Sequence, residues 1–140
     1  MARTIVITGA ASGIGKAMAD LAEARGWQPI RADLHGGDVE ADLATPQGRS
    51  AFVSEVNALV GERLDAFIAC AGVATPTPLT FKVNYFGAIA TLERMRPLLA
   101  KGASPRAVGV TSFASVRQSD PELVKACLSG DEAATLNIAE

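Results

Sequence analysis

The stretch Thr8-Gly9-Ala10-Ala11-Ser12-Gly13-Ile14-Gly15, directly after the apolar run Ile5-Val6-Ile7, constrains the fold of this chain more than any other feature. An apolar run without alternation marks a strand buried on both faces, as in the middle of a parallel sheet. Gly9, Gly13 and Gly15 then punctuate a sharp turn, and Ile14, Met18, Leu21 and Ala22 recur beyond it at helical spacing. Parallel neighbours need a crossover, usually a helix. Strand, turn and helix therefore predict the first unit of a doubly wound α/β domain. The 140 residues suit one domain with a real core and leave little room for a second.

The rest of the chain keeps the alternation. Gly26 stops the first helix, and Trp27 to Ala32 reads as a second strand weakened by Pro29, which has no amide to donate. Residues 34–41 are too few for a crossover helix and predict a loop with a short third strand at Val39 to Ala41. Thr45 followed by Pro46 starts a helix with Phe52, Val56, Leu59 and Val60 on its apolar face and Gly61 at its end. Leu64 to Cys70 is a fourth strand. Past Pro76 and Pro78, a helix carries Phe81, Val83, Phe86, Ile89, Leu92 and Met95 around much of its circumference. It is expected to be buried against the sheet and against a second body such as a partner subunit. Ala107 to Thr111 is a fifth strand, Asp120-Pro121-Glu122 opens a short helix to Leu128, and Asp131 to Ile138 follows as another after Gly130. The order β-α-β-β-α-β-α-β predicts a Rossmann-like doubly wound parallel sheet, strand order 3-2-1-4-5.

Composition removes several classes of function. A net charge of −2 with the basic residues scattered gives a phosphate backbone nothing to grip, so nucleic acid is not the expected partner. No apolar run approaches a membrane span, and the stretch after Met1-Ala2-Arg3 is too short for a signal peptide. Cys70 and Cys127 form no CxxC pair or disulfide framework; with Cys70 read as a small buried hydrophobe, a reducing, cytoplasmic setting is expected. His35 is the only histidine and stands beside Gly36-Gly37, so no metal cluster is expected around it.

The G-x-x-x-G-x-G turn has a ligand chemistry. Gly9 lets the chain leave the strand, Gly13 lets backbone approach a pyrophosphate, and Gly15 lets the helix pack closely. Free amides at the helix start, with the dipole behind them, bind the phosphates, and the Ser12 hydroxyl adds a contact. A nucleoside-triphosphate loop is the rival, since Gly15-Lys16 resembles its end. Ala10 stands where that motif needs glycine and Ala17 where it needs Ser or Thr. Asp33, near the roughly 20-residue spacing of a ribose-binding acid, would accept from the adenosine 2′-hydroxyl and repel a 2′-phosphate, which favours NAD over NADP. Arg31 clouds that reading, because alternation points it to the same side as Asp33. An ordinary turn acid is the plainer alternative for Asp33.

Taken together, these motifs resemble the short-chain dehydrogenase/reductase family along the whole chain. Thr8 to Gly15 matches its T-G-x-x-x-G-I-G signature. Asp42-Leu43 matches an Asp-plus-apolar pair implied to contact adenine, and Ala71-Gly72 the end of an N-N-A-G segment whose asparagines are replaced by Ala69 and Cys70. Asn84, in Val83-Asn84-Tyr85-Phe86-Gly87, matches the V-N-x-x-G helix whose asparagine helps hold a proton-relay water. Ser112 falls where the family's catalytic serine follows the fifth strand. Cys70-Ala71-Gly72, Val83 to Ala88, Asp42 to Arg49 and Ser112 to Ser115 resemble most the branch of bacterial 3-alpha-hydroxysteroid dehydrogenase/carbonyl reductases. That branch carries a helical insertion after the serine, so 116–140 is expected to begin such a region within a domain spanning 1–140.

The resemblance implies hydride transfer between NAD and a small-molecule alcohol or ketone. In it a tyrosinate exchanges the hydroxyl proton, a lysine lowers that phenol's pKa, and the serine hydrogen-bonds the reacting oxygen. The Tyr-x-x-x-Lys pair is missing: Tyr85 is the only tyrosine, and Ile89 stands where its lysine would be. The pair is expected beyond Glu140, with this chain inactive alone and the fifth strand's edge left open. The resemblance also implies a homodimer or homotetramer in the complete protein, through the helix from Phe81 to Leu99. A non-catalytic dinucleotide-binding or regulatory module, and a fragment that binds no cofactor, are the competing readings.

Overall fold

A computed structural model describes residues 2–140; Met1, part of the leader comparison above, lies outside the described residues. Five parallel strands stand in the order β3-β2-β1-β4-β5, as the alternation predicts. They are β1 (Thr4–Thr8), β2 (Gln28–Asp33), β3 (Val39–Glu40), β4 (Ala66–Ala69) and β5 (Arg106–Gly109). Side chains alternate between two cores. Val6, Ile30 and Phe67 meet Phe52 and Val56 of α2 (Pro46–Val60) and Met95 and Leu98 of α4 (Ala88–Leu99) on one face. Ile5, Ile7 and Ala66 meet Ala19 of α1 (Gly13–Ala24) on the other. β1 is thus apolar on both faces because both faces are covered.

Pro29 is accommodated in an inner strand because its partner is short. The Gln28 amide donates toward β1, to the Arg3 carbonyl, so the missing amide of Pro29 points the opposite way. On that side β3 pairs only with Ala32 and Asp33, and Pro29 deprives no ladder of a bond. Thr45 caps α2 as expected, its hydroxyl accepting from the Gly48 amide at 2.9 Å.

Three helical expectations are corrected. Ile14 and Leu21 do not cover the sheet but are 64% and 52% exposed; the α1 face is instead Gly15, Met18, Ala19 and Ala22. Small residues are selected there because the helix lies close to the strands. Leu59 is likewise exposed, at 55%, while Arg49 of the same helix is buried. The single long helix after Pro78 is built in three parts: α3 (Leu79–Phe81), a π-helical segment (Lys82–Gly87) and α4.

Beyond β5, a short 3₁₀ turn (Phe113–Val116) leads to α5 (Pro121–Ser129) and α6 (Glu132–Ala139), with Gly130 left-handed at φ 78° between them. Leu123, Val124, Cys127 and Leu128 of α5 face Phe81 and Tyr85 across an apolar groove. The second body against that helix therefore comes partly from the same chain. β5 forms the sheet edge, and all its residues are exposed. Among the described residues no helix is long and apolar enough to cross a membrane.

Candidate functional site

The carboxyl ends of β1, β2 and β4 open into one crevice of about 530 Å³. This is where an open α/β sheet reverses its winding order, here between β1 and β4. The glycine-rich turn forms its floor. Gly9 leaves β1 at φ 69°, and a Cβ on it would lie 2.8 Å from the Ala71 Cα. A Cβ on Gly15 would collide with the Gly9 carbonyl oxygen. The turn folds back on its own helix only because both side chains are absent. Gly13, at φ 56°, differs: a Cβ there would meet nothing within 4 Å, because it faces open space.

That space is lined by donors. Ser12 is extended at the α1 N-cap and makes no side-chain cap, and the first turn has no acidic residue. The Lys16 amide donates to the Ser12 carbonyl, but the amides of Ser12, Gly13, Ile14 and Gly15 find no acceptor among the described residues. Apart from Gly15 the helix start is open to solvent, so its unpaired amides are free to receive an acceptor from outside the chain. A phosphate oxygen is the group whose charge and geometry suit it. By this test the residues fit a pyrophosphate. The nucleoside-triphosphate rival fails on Lys16, whose Nζ is held 2.7 Å from Asp20 Oδ2 instead of reaching over the turn.

The other walls are fixed by hydrogen bonds between elements. The amide of Ala11 donates to Asp33 Oδ2 at 3.0 Å and that of Leu34 to Oδ1 at 2.7 Å, so the carboxylate is oriented at the crevice rim. Arg31 is turned away: its Nη2 lies 2.9 Å from Asp20 Oδ1 and 3.3 Å from Glu23 Oε2 on α1. Hydrogen bonds from Lys16, and then from Arg31, hold the Asp20 carboxyl below its usual range. Asp42 Oδ1 accepts from the Ala44 amide at 2.9 Å, which turns the chain into α2 beside Leu43. The Thr8 hydroxyl accepts from the amides of Cys70 and Ala71, each at 3.0 Å, and so ties the end of β1 to that of β4. Burial pushes the Cys70 thiol up, so it remains a neutral wall residue at pH 7.

Gly9, Ser12, Gly13, Ile14, Gly15, Asp33, Asp42, Leu43, Ala71 and Gly72 all line this crevice. Asn84 and Ser112 do not. Asn84 braces a wall from behind: its Oδ1 accepts from the Val73 amide and its Nδ2 donates to the Val73 carbonyl, both at 2.8 Å. Ser112 is exposed and accepts from the Ala114 amide at 3.1 Å as the cap of the 3₁₀ turn. Tyr85 packs edge-on against Phe86, ring centroids 5.0 Å apart. Sequence reasoning missed Thr8 and Val110 as lining residues and the burial of Arg49. The Thr8 signal was available, because the residue opens the glycine motif.

Fold and crevice define the doubly wound, dinucleotide-fold class of proteins. Similarity to known proteins narrows this further, although no protein-family model matches the chain. It is 36% identical over 141 residues to the 3-alpha-hydroxysteroid dehydrogenase/carbonyl reductase of Comamonas testosteroni, covering 97% of this chain and 55% of that protein. It superposes on a 3-alpha-hydroxysteroid dehydrogenase of Pseudomonas sp. B-0831, solved as a complex with NADH, with TM-score 0.91 and 40% identity over 97% of this chain and 56% of that one. The aldohexose dehydrogenase of Thermoplasma acidophilum, at 18% identity and TM-score 0.75 over 99% of this chain and 56% of its own, shares the fold. The chain belongs to the short-chain dehydrogenase/reductase family and spans about half the length of the curated relative it matches.

Proposed function

We propose that the chain binds NAD(H) in this crevice and is the cofactor-binding part of an oxidoreductase that interconverts a secondary alcohol and a ketone. One observation carries the reading: the partnerless amides of Ser12, Gly13, Ile14 and Gly15 face a crevice whose far rim holds an oriented Asp33 carboxylate. That pairing suits a pyrophosphate with a ribose diol at one end. Asp42 and Leu43 flank the adenine, and Ala71 and Gly72 the nicotinamide ribose. The bound nicotinamide supplies the hydride acceptor or donor. By the family resemblance Ser112, which here caps the 3₁₀ turn beside the crevice, would hydrogen-bond the reacting oxygen, and Asn84, which clamps Val73, would help hold a proton-relay water. The names of the similar proteins support a hydroxysteroid or another carbonyl compound as substrate. Free thiols at Cys70 and Cys127 suit a reducing compartment such as the cytoplasm. A homodimer or homotetramer of the complete protein belongs to the same proposal.

Residues 1–140 hold no Tyr-x-x-x-Lys pair, which favours binding without turnover by this chain alone. The second reading, a non-catalytic dinucleotide-binding module, draws on the same fact. A titration with NADH tests both. Trp27 lies at the far end of β2 from the crevice, roughly 20 Å away by strand rise, within range for energy transfer to nicotinamide. Saturable enhancement of nicotinamide emission below millimolar NADH is expected, with no hydride transfer to added ketosteroid. Absence of a saturable signal at millimolar NADH refutes the cofactor site. Turnover by the chain alone refutes the incomplete-catalyst reading.

A further inference from the structure

We propose that Arg49 is a positioning residue that couples docking of α6 to the adenine-side wall of the crevice, an inference that rests on the cofactor reading above. Arg49 lies in the first turn of α2 and is 6% exposed. A cation is disfavoured there by the helix dipole, so the helix itself does not call for it. Its Nε donates to the Leu43 carbonyl at 2.7 Å, and its Nη2 to the Lys82 carbonyl at 2.9 Å. Nη1 and Nη2 also donate to Glu132 of α6, at 2.8 and 3.0 Å. Leu43 lines the crevice, and so does Val83, the residue after Lys82.

Gly87 shows why the two carbonyls need this arginine. A Cβ on Gly87 would lie 3.1 Å from the Leu43 oxygen and 3.2 Å from the Lys82 oxygen. Both oxygens therefore converge on one bare stretch of the π-helical segment. The Leu43 oxygen is buried and the Lys82 oxygen partly so. Carbonyls withdrawn from water call for donors, and a guanidinium supplies several in one plane. Its buried charge in turn requires a counter-ion. Among the described residues, Glu132 alone pairs with it. With α6 undocked, Arg49 is an unpaired buried cation and turns toward water, releasing Leu43 and Lys82. Cofactor binding and α6 docking then reinforce each other, and such coupling is reciprocal.

Hydrogen exchange of the whole chain, with and without saturating NADH, reads this coupling, while nicotinamide emission verifies saturation separately. The α6 amides, Glu132–Ala139, are expected to exchange several-fold more slowly with NADH bound. In Arg49→Met the NADH-dependent protection disappears, and NADH binds about tenfold more weakly, the worth of one charge-assisted hydrogen bond. Arg49→Lys restores part of both. Where Arg49→Met does not fold, Glu132→Gln is read instead, with the same loss of protection expected. A purely structural ion pair would protect α6 equally with and without NADH. Saturable NADH binding with unchanged α6 exchange therefore overturns the coupling and leaves the cofactor site standing. No saturable binding overturns the cofactor reading, and the coupling with it.

Discussion

Gly15→Ala is expected to lose both stability and cofactor binding, whereas Gly13→Ala loses mainly binding. The methyl group of Gly15→Ala would meet the Gly9 carbonyl oxygen and the Ala10 backbone, neither of which can swing aside as a side chain does. Overpacking of this kind costs about 3 kcal/mol, which lowers the melting temperature by roughly 10 °C in a domain of this size. It also pushes the turn off Ala71, distorting the crevice from below. In Gly13→Ala the methyl group meets no protein atom, so the fold loses only the left-handed backbone cost of about 1 kcal/mol. The methyl group nevertheless enters the space over the free amides. NADH affinity should fall at least about tenfold, the equivalent of one lost charge-assisted hydrogen bond. Thermal unfolding and NADH titration of the two variants separate a collision inside the protein from one with the ligand.

Asp33→Asn is expected to shift cofactor preference toward NADPH by roughly two orders of magnitude. One part is the loss of a charged acceptor for the ribose diol, worth about tenfold against NADH. The other is removal of a negative charge facing a 2′-phosphate, a repulsive element that discriminates without contributing contacts of its own. Asparagine keeps an oxygen for the Ala11 amide, which leaves the turn tied to β2, but its Nδ2 can no longer accept from the Leu34 amide. Arg31 does not mask the effect, because Asp20 and Glu23 already engage it on α1. The ratio of NADH to NADPH dissociation constants, measured by emission titration, checks the shift. An unchanged ratio would return Asp33 to the status of a turn acid that orders the Ala11 amide.

Strand order and crevice were legible in the sequence because they follow from short-range rules. Ile5-Val6-Ile7 before a glycine turn reads as a strand covered on both sides, and Thr45-Pro46 as a helix start. Glycine spacing located the crevice for the same reason, since Gly9 and Gly15 act on atoms a few residues away. What remained hidden depends on partners distant in the chain. Helical spacing placed Ile14 and Leu21 on the apolar face, but close packing onto β1 selects Gly15 and Ala19 instead. No periodicity marks the π-helical segment, whose packing brings Gly87 against the Leu43 carbonyl. The burial of Arg49 depends on Glu132, 83 residues later in the chain, which no local pattern announces. Asn84 is informative in sequence as a poor helix former, yet its partner Val73 became evident only from the fold.

In the proposed cofactor site, phosphate oxygens are received by the free amides at the start of α1. Backbone amide spectra of ¹⁵N-labelled chain, recorded through a titration with NAD, test it most directly. The largest shifts are expected at Ser12, Gly13, Ile14 and Gly15, saturating together, while Trp27 and Gln28 at the opposite end of the sheet stay still. Saturable binding that leaves those turn amides unmoved would contradict that contact.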